Sequence, residues 1–341
     1  MLTELPDPRQ GAADPTEGTP ARRPGSIRRT STIDSARPEG MAGPVRQVGR
    51  ARDLVTADDG SGTVVAEAEM HLVVDFAAGM LVRRITMDPP TDGLDAFLDA
   101  RAGGGFRKIL DLQTPVARGS LPYLLLDDVP GATLVSGYAM TMAAEQGDAD
   151  LSEYRARLRE APLLQQADIC AGWQSGGTLL ANLSDGGPPA TLGPVARSVL
   201  EHDDPDAWHP LDPLLPATMR RARRIDVWRD DDLIRVDVFF RDSMMGRTGV
   251  ETAVHEYAVD VVVDAATMTV VSCVASPRVL PWRECPEAIG SAGRLVGRSV
   301  RALRPELRTE LVGTSTCTHL NDVLRGLEDV DWLSQTLNRR R

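Results

Sequence analysis

Arg28-Arg29-Thr30-Ser31-Thr32-Ile33-Asp34 and Arg220-Arg221-Ala222-Arg223-Arg224-Ile225-Asp226 are one phrase written twice, 192 positions apart. Working outward, Arg52-Asp53 recurs as Arg241-Asp242, and the Val-Val-Asp ending at Asp75 recurs as the one ending at Asp264, both at an offset of 189. Farther along, Leu126-Asp127-Asp128-Val129 recurs as Leu320-Asn321-Asp322-Val323 at an offset of 194, a drift that small insertions account for. Self-similarity at a nearly constant offset is the signature of a repeated unit. Only the second unit carries reactive side chains. Where it has His255, Cys285, Cys317 and His319, the first has Ala66, Ala96, Tyr123 and Leu125.

The local patterns give each unit the same plan. Val64 to Asp75 and Leu81 to Met87 read as strands joined through Phe76-Ala-Ala-Gly79, with glycine at the turn. In the second unit His255, Tyr257, Val259, Val261 and Val263 alternate onto one face, and Asp264-Ala-Ala-Thr267 turns the chain into Met268 to Ala275. A further hairpin runs from Arg224 to Trp228 and from Leu233 to Arg241 around an acidic turn. The period then lengthens to three and four residues. Pro286 to Arg301 predicts a helix with Cys285 just before it, Pro305 opens a second, and Thr318 is a good N-cap for a third. The fold class is α+β, two tandem related units, each an antiparallel meander followed by helices. The expected boundaries are a disordered leader over 1–26, a first repeat over 27–149, a connector over 150–218 and a second repeat over 219–337. The connector opens with a helix from Leu151 to Ala167 and ends in an acidic loop around His202 and His209.

Composition narrows the function classes. The net charge of −11 argues against a nucleic-acid footprint or an anionic membrane surface as partner. No apolar stretch approaches the roughly 18 residues of a membrane span, and the start of the chain lacks the basic and apolar blocks of a secretory signal. A cytoplasmic protein is expected, and its four cysteines (Cys170, Cys273, Cys285, Cys317) are expected as thiols or metal ligands rather than disulfides.

Cys285 and Cys317 sit at expected helix starts, where backbone N–H groups favour an anion, so both thiols are expected to ionise more readily than Cys273 in the sheet. His255 points to the apolar face of its strand, and His319 follows Cys317 by two residues. Three readings fit. The four residues His255, Cys285, Cys317 and His319 converge on zinc or another divalent metal; one thiolate is a nucleophile with a histidine as its base; or all four are packing residues. Cys170 with Trp173 forms a second candidate patch. His202 and His209 among Asp203, Asp204, Asp206 and Asp212 form a candidate cation loop.

The second half resembles a bacterial domain-of-unknown-function family, the one numbered 2889. The matching text is Arg223-Arg-Ile-Asp226, Phe240-Arg-Asp-Ser243, His255-Glu-Tyr257, the Val-Asp264 turn, Cys285-Pro286, Leu295-Val-Gly297, Leu311-Val-Gly313, Cys317-Thr-His-Leu320 and Ser334-Gln335-Thr336. The chain departs from that pattern at Thr316, where a glycine usually precedes the cysteine. The resemblance implies the domain and the residues worth testing, and brings no reaction with it. The functional expectation is an enzyme acting on a small organic acid or acyl-type metabolite through a metal or thiolate at Cys285, Cys317, His255 and His319, with Arg241 or Arg283 holding a substrate carboxylate. The alternative is a non-catalytic metal-binding or protein-interaction module with a structural pseudo-dimer fold.

Overall fold

Alternation of apolar and polar residues along eight long segments builds two four-stranded antiparallel meanders. The computed structural model of the protein describes residues 9–145, 151, 166–200 and 203–340. The first meander comprises β2 (Ser26–Ala36), β3 (Val45–Thr56), β4 (Gly62–Asp75) and β5 (Leu81–Asp88). The second comprises β6 (Met219–Asp230), β7 (Leu233–Met245), β8 (Glu251–Asp264) and β9 (Thr269–Leu280). With the short β1 (Ala12–Ala13) they form one sheet in the order β1-β9-β8-β7-β6-β2-β3-β4-β5.

The two recurring phrases turn out to be the two central strands. β2 pairs with β6 so that Ser31 faces Arg223, and the pairing is reciprocal about that point. Arg28 binds Asp226 at 2.6 Å, and Arg220 binds Asp34 at 2.6 Å. The irregularities repeat as well. A register shift falls between Asp53 and Leu54 in the first meander and between Asp242 and Ser243 in the second, and another falls between Val73 and Val74 and between Val262 and Val263. Bulges bend and twist a strand locally; a further shift between Glu256 and Tyr257 in the second meander has no counterpart in the first.

Helices cover one face. In the first half these are α1 (Phe106–Gln113) and α2 (Leu121–Glu145); in the second they are α4 (Leu303–Glu310), α5 (Thr318–Gly326) and α6 (Asp329–Arg340). Helix α3 (Thr178–Ser184) belongs to the connector. One apolar cluster gathers Met70, Leu72, Phe97, Phe106 and Leu125 under the first meander, and a larger one gathers Val259, Val261, Ala288, Leu320 and Leu333 under the second. On the opposite face Trp208 packs on Ala222 and Phe239. No helix among the described residues is long and apolar enough to cross a membrane.

Three expectations change. Residues 9–25, read as part of a disordered leader, run along the molecule: Ala12 and Ala13 pair with β9, Thr16 N–H donates to Glu256, and Arg22 binds Asp204. Their polar composition hid partners that lie far away in sequence. The helix expected over Pro286 to Arg301 is a 3₁₀ helix over Cys285–Leu295, followed by a second short one over Val300–Ala302. Gly297 at φ 85 breaks the path between them, because that backbone conformation ends a right-handed helix. Among the described residues of the acidic loop the expected cation ligands are already engaged: Arg22 takes Asp204, Arg50 takes Asp212, and buried His209 hydrogen-bonds Thr30 and Thr32. The helix expected over Leu151 to Ala167 falls largely outside the described residues, as does His202.

Between the sheet and the helices lies a buried network of arginines and acids. Arg29 binds Asp53 and Asp329 at 2.7 and 2.9 Å, and Arg221 binds Asp242 and Asp322 at 2.8 and 3.2 Å. Arg223 binds Asp128 at 2.6 Å, Arg304 joins Asp127 to Asp329, and Arg107 and Arg325 each bridge Asp127 and Asp322. Burial alone would raise the Asp127 and Asp322 carboxyls, but the surrounding guanidinium groups hold both below the usual range. A planar guanidinium satisfies two carboxylates at once, which a lysine ammonium does less well.

Helix α2 yields to this network. Pro130 lies inside it, and a β-carbon on Gly131 would fall 1.8 Å from Arg221 Nη1. Gly131→Ala therefore displaces Arg221 from Asp242 and Asp322. Alanine raises helix propensity by about 1 kcal/mol, yet breaking a buried ion pair costs about 3 to 5 kcal/mol. The expected result is a net loss of stability in chemical denaturation followed by circular dichroism, and an unchanged midpoint would refute this account of Gly131.

Candidate metal centre

The register of β7 and β8 makes His255 the direct cross-strand partner of Asp242, on the sheet face beneath the helices. Helix α5 supplies the third residue. Gly313 at φ 75 turns the chain out of α4, Thr316 hydrogen-bonds back to Gly313, and Cys317 takes the extended N-cap position. The second helical residue, His319, then lies flat on His255, with ring centroids 3.5 Å apart and planes within 18°. His255 Nδ1 is 3.6 Å and His319 Nε2 is 4.0 Å from Asp242 Oδ2. One ligand atom from each of the three residues lies within 4.8 Å of the others.

The electrostatics suit a cation. Burial would raise the Asp242 carboxyl, but the Arg221 guanidinium, gripping both its oxygens, and the neighbouring imidazoles hold it well below the usual range. His319 is pushed down to about 3, chiefly by burial and also by the His255 ring, so its imidazole is neutral at ordinary pH. Neutral imidazole and ionised carboxylate are the forms that ligate a metal. His255 Nδ1 is buried and has no hydrogen-bond partner. Behind His319, Cys317 Sγ lies 3.9 Å from Nδ1. A proton on Nδ1 directed at the sulfur leaves Nε2 free on the Asp242 side.

Of the four residues singled out from sequence, His255, Cys317 and His319 meet here. Cys285 lies outside that donor set, in the apolar core cluster that also holds Cys317 and Tyr257. Cys170 arrives from the connector, where Ala171 N–H donates to Thr316 O, and Gly172 has no side chain because a β-carbon would meet Cys285 Sγ at 2.7 Å. The helix starts do not make these thiols acidic. Burial pushes Cys285 and Cys317 up despite the backbone N–H groups around Cys317, raises Cys170 to about 11, and raises Cys273 to about 12. Arg241 points to the other face of the sheet, where it binds Glu256 at 2.6 Å and donates to the carbonyls of Arg197 and Thr16, so no guanidinium edge is left for a substrate. Arg283 is exposed, two residues before Cys285.

The residue that sequence reasoning missed is Asp242. It stood in view as part of the Arg-Asp repeat. Its first-half counterpart Asp53 pairs with Arg29 in the same way and faces Ala66 across the strands, so the pair by itself signals framework. The signal lay in combination: an acid retained in both units, beside histidines present in one.

The fold and site define an α+β protein with an Asp/His/His candidate metal centre in its second half. Residues 219–332, which contain that centre, match the family described as Protein of unknown function (DUF2889). No curated protein and no solved structure matches the chain.

Two outcomes test the electrostatics. Native protein should react slowly with a thiol reagent at all four cysteines, with Cys285 and Cys317 no faster than Cys273; rapid labelling of either would show a thiolate that burial does not suppress. His209 is also pushed down to about 3, chiefly by burial. Between pH 6.5 and 3 the unfolded chain therefore binds two protons that the folded chain does not. The stability involved is present above about pH 6.5 and is lost as pH falls, at about 1.4 kcal/mol per pH unit for each histidine. Urea midpoints at pH 7.5 and pH 5 should differ in that direction, and His209→Gln should reduce the slope.

Proposed function

We propose that the protein is a metal-dependent enzyme in which Asp242, His255 and His319 hold a divalent first-row ion, zinc or another of that group, and act on a small organic acid or acyl-type metabolite. The observation that carries the reading is the close approach of three ligand atoms, one of them a buried imidazole nitrogen without a partner. Two histidines and one carboxylate leave coordination positions open for water or substrate. His255 and His319 retain 13% and 16% exposure of their side chains, while Asp242 is fully buried beneath them. In this arrangement Arg221 keeps Asp242 ionised and oriented, and Cys317 and Thr318 flank Nδ1 of His319. The bound ion supplies Lewis-acid polarisation of a substrate oxygen.

Cys317 also favours a second reading. If its sulfur turns to the ion, the centre becomes a closed four-ligand site of structural type, and the protein a non-catalytic metal-binding module.

Metal analysis of the purified chain, followed by cobalt substitution, separates these readings. The expected result is one ion per chain, lost in both Asp242→Asn and His255→Ala, with a cobalt spectrum free of sulfur-to-metal charge transfer and perturbed by added small carboxylates. Cys317→Ser should weaken affinity by about 10-fold, the scale of an outer-shell change. A charge-transfer band that Cys317→Ser abolishes would select the closed site. Absence of binding by zinc, cobalt or ferrous ion would remove both.

A further inference from the structure

A groove of about 990 Å³ runs between α1 and α2 of the first half and α4 and α5 of the second, the kind of junction where ligand sites tend to form. Its walls are mostly apolar. Leu112 of α1 and Leu134 of α2 line its first-half wall while 71% and 63% exposed, a state that leucine does not favour in water.

The rim is basic in a chain whose net charge is −11. Lys108, the only lysine of the sequence, is exposed at the rim, and its ammonium makes no ion pair or hydrogen bond with any described residue. Arg118 and Arg308 share Asp111 at 3.2 and 3.6 Å. Arg118 also approaches Glu328 at 3.7 Å, but Glu328 is already taken by Arg304. Three cations thus face two carboxylates, one of which, Glu328, is shared with Arg304. Asn321, on the α5 wall, spends its amide N–H on Leu311 O, and its Oδ1 is buried without a donor. An apolar trough, an uncompensated cation at its rim and an unmet acceptor on its wall describe a complementary molecule: an alkyl chain, an anionic end and a hydrogen donor between them.

We infer that this groove is a binding site for an acyl chain that ends in an anionic group and carries an amide or hydroxyl hydrogen, of the N-acyl amino acid type. The chain lies along Leu112 and Leu134, the anion meets Lys108, and the amide N–H meets Asn321 Oδ1. Asp322, which also lines the groove, is 3.2 Å from the Arg221 guanidinium that grips Asp242. The inference does not rest on the metal reading, because the site is complete without an ion.

Isothermal titration of the full chain with N-decanoylglycine tests it, with decanol, inorganic phosphate and glycine as partial ligands. One site per chain is expected, with N-decanoylglycine at least about 10-fold tighter than any partial ligand, as a charged hydrogen bond added to apolar burial implies. Lys108→Ala should weaken it by about 10-fold and Leu134→Asp should abolish it. Both positions are exposed, so circular dichroism and melting should match the parent chain. His255→Ala should bind as the parent does, which separates failure here from failure of the metal centre. Equal binding of decanol, with no effect of Lys108→Ala, would overturn the anionic part of the inference. Binding of phosphate alone, or unchanged affinity in Leu134→Asp, would overturn the acyl part, and no heat with any ligand would overturn the whole.

Discussion

The arginine–aspartate network between sheet and helices is the constraint on which the rest of the architecture depends. Arg29 and Arg221 rise from the two central strands, and the acids that meet them come from neighbouring strands, from α5 and from α6. Taking so many charges out of water is expensive, and Arg29 and Arg221 hold their places because two or more acids share each of them. The network therefore fixes geometry more than it adds stability. It sets the height of each helix over the sheet, it forces glycine at position 131, and it holds Asp242 ionised beneath two histidines.

The two halves show how one frame serves two ends. Asp53 and Asp242 occupy matching bulged positions, each gripped by an arginine from a central strand. Beside Asp53 the facing residue is Ala66, and Leu125 of α2 is fully buried in apolar surroundings, so the ion pair there is structural. Beside Asp242 stand His255 and His319, and the same pair becomes the anchor of a polar site. The difference lies in a few side chains rather than in the backbone.

Much of the fold was legible in the sequence because β-strand alternation and turn chemistry are local. The hairpins ending at Asp75 and Asp264, the phrase at Arg28 and the start of α5 at Thr318 all follow from spacing alone. The path of residues 9–25 was not legible, since Thr16 and Arg22 take their partners from residues 240 and 182 positions away. The site was legible in part. Strand alternation aims His255 inward, and the loop before Thr318 lets Cys317 and His319 share one neighbour. Cys285 carried the same local signals and lands outside the donor set, because a thiol's neighbours are decided by how the 3₁₀ segment and the connector pack. Thiol acidity failed for a related reason: dipole effects at a helix start are modest, and burial exceeds them.

Arg29 and Asp329 are 300 residues apart in sequence and 2.9 Å apart in space. That distance bears on synthesis. A ribosome releases the N-terminal meander long before it makes α6, and domains ordinarily fold as units in that order. Here the emerging first half carries a guanidinium whose second carboxylate has not yet been translated. Its central strand β2 meanwhile presents an open edge until β6 arrives. The nascent chain must therefore carry one edge of its middle strand unpaired until the second meander has been made.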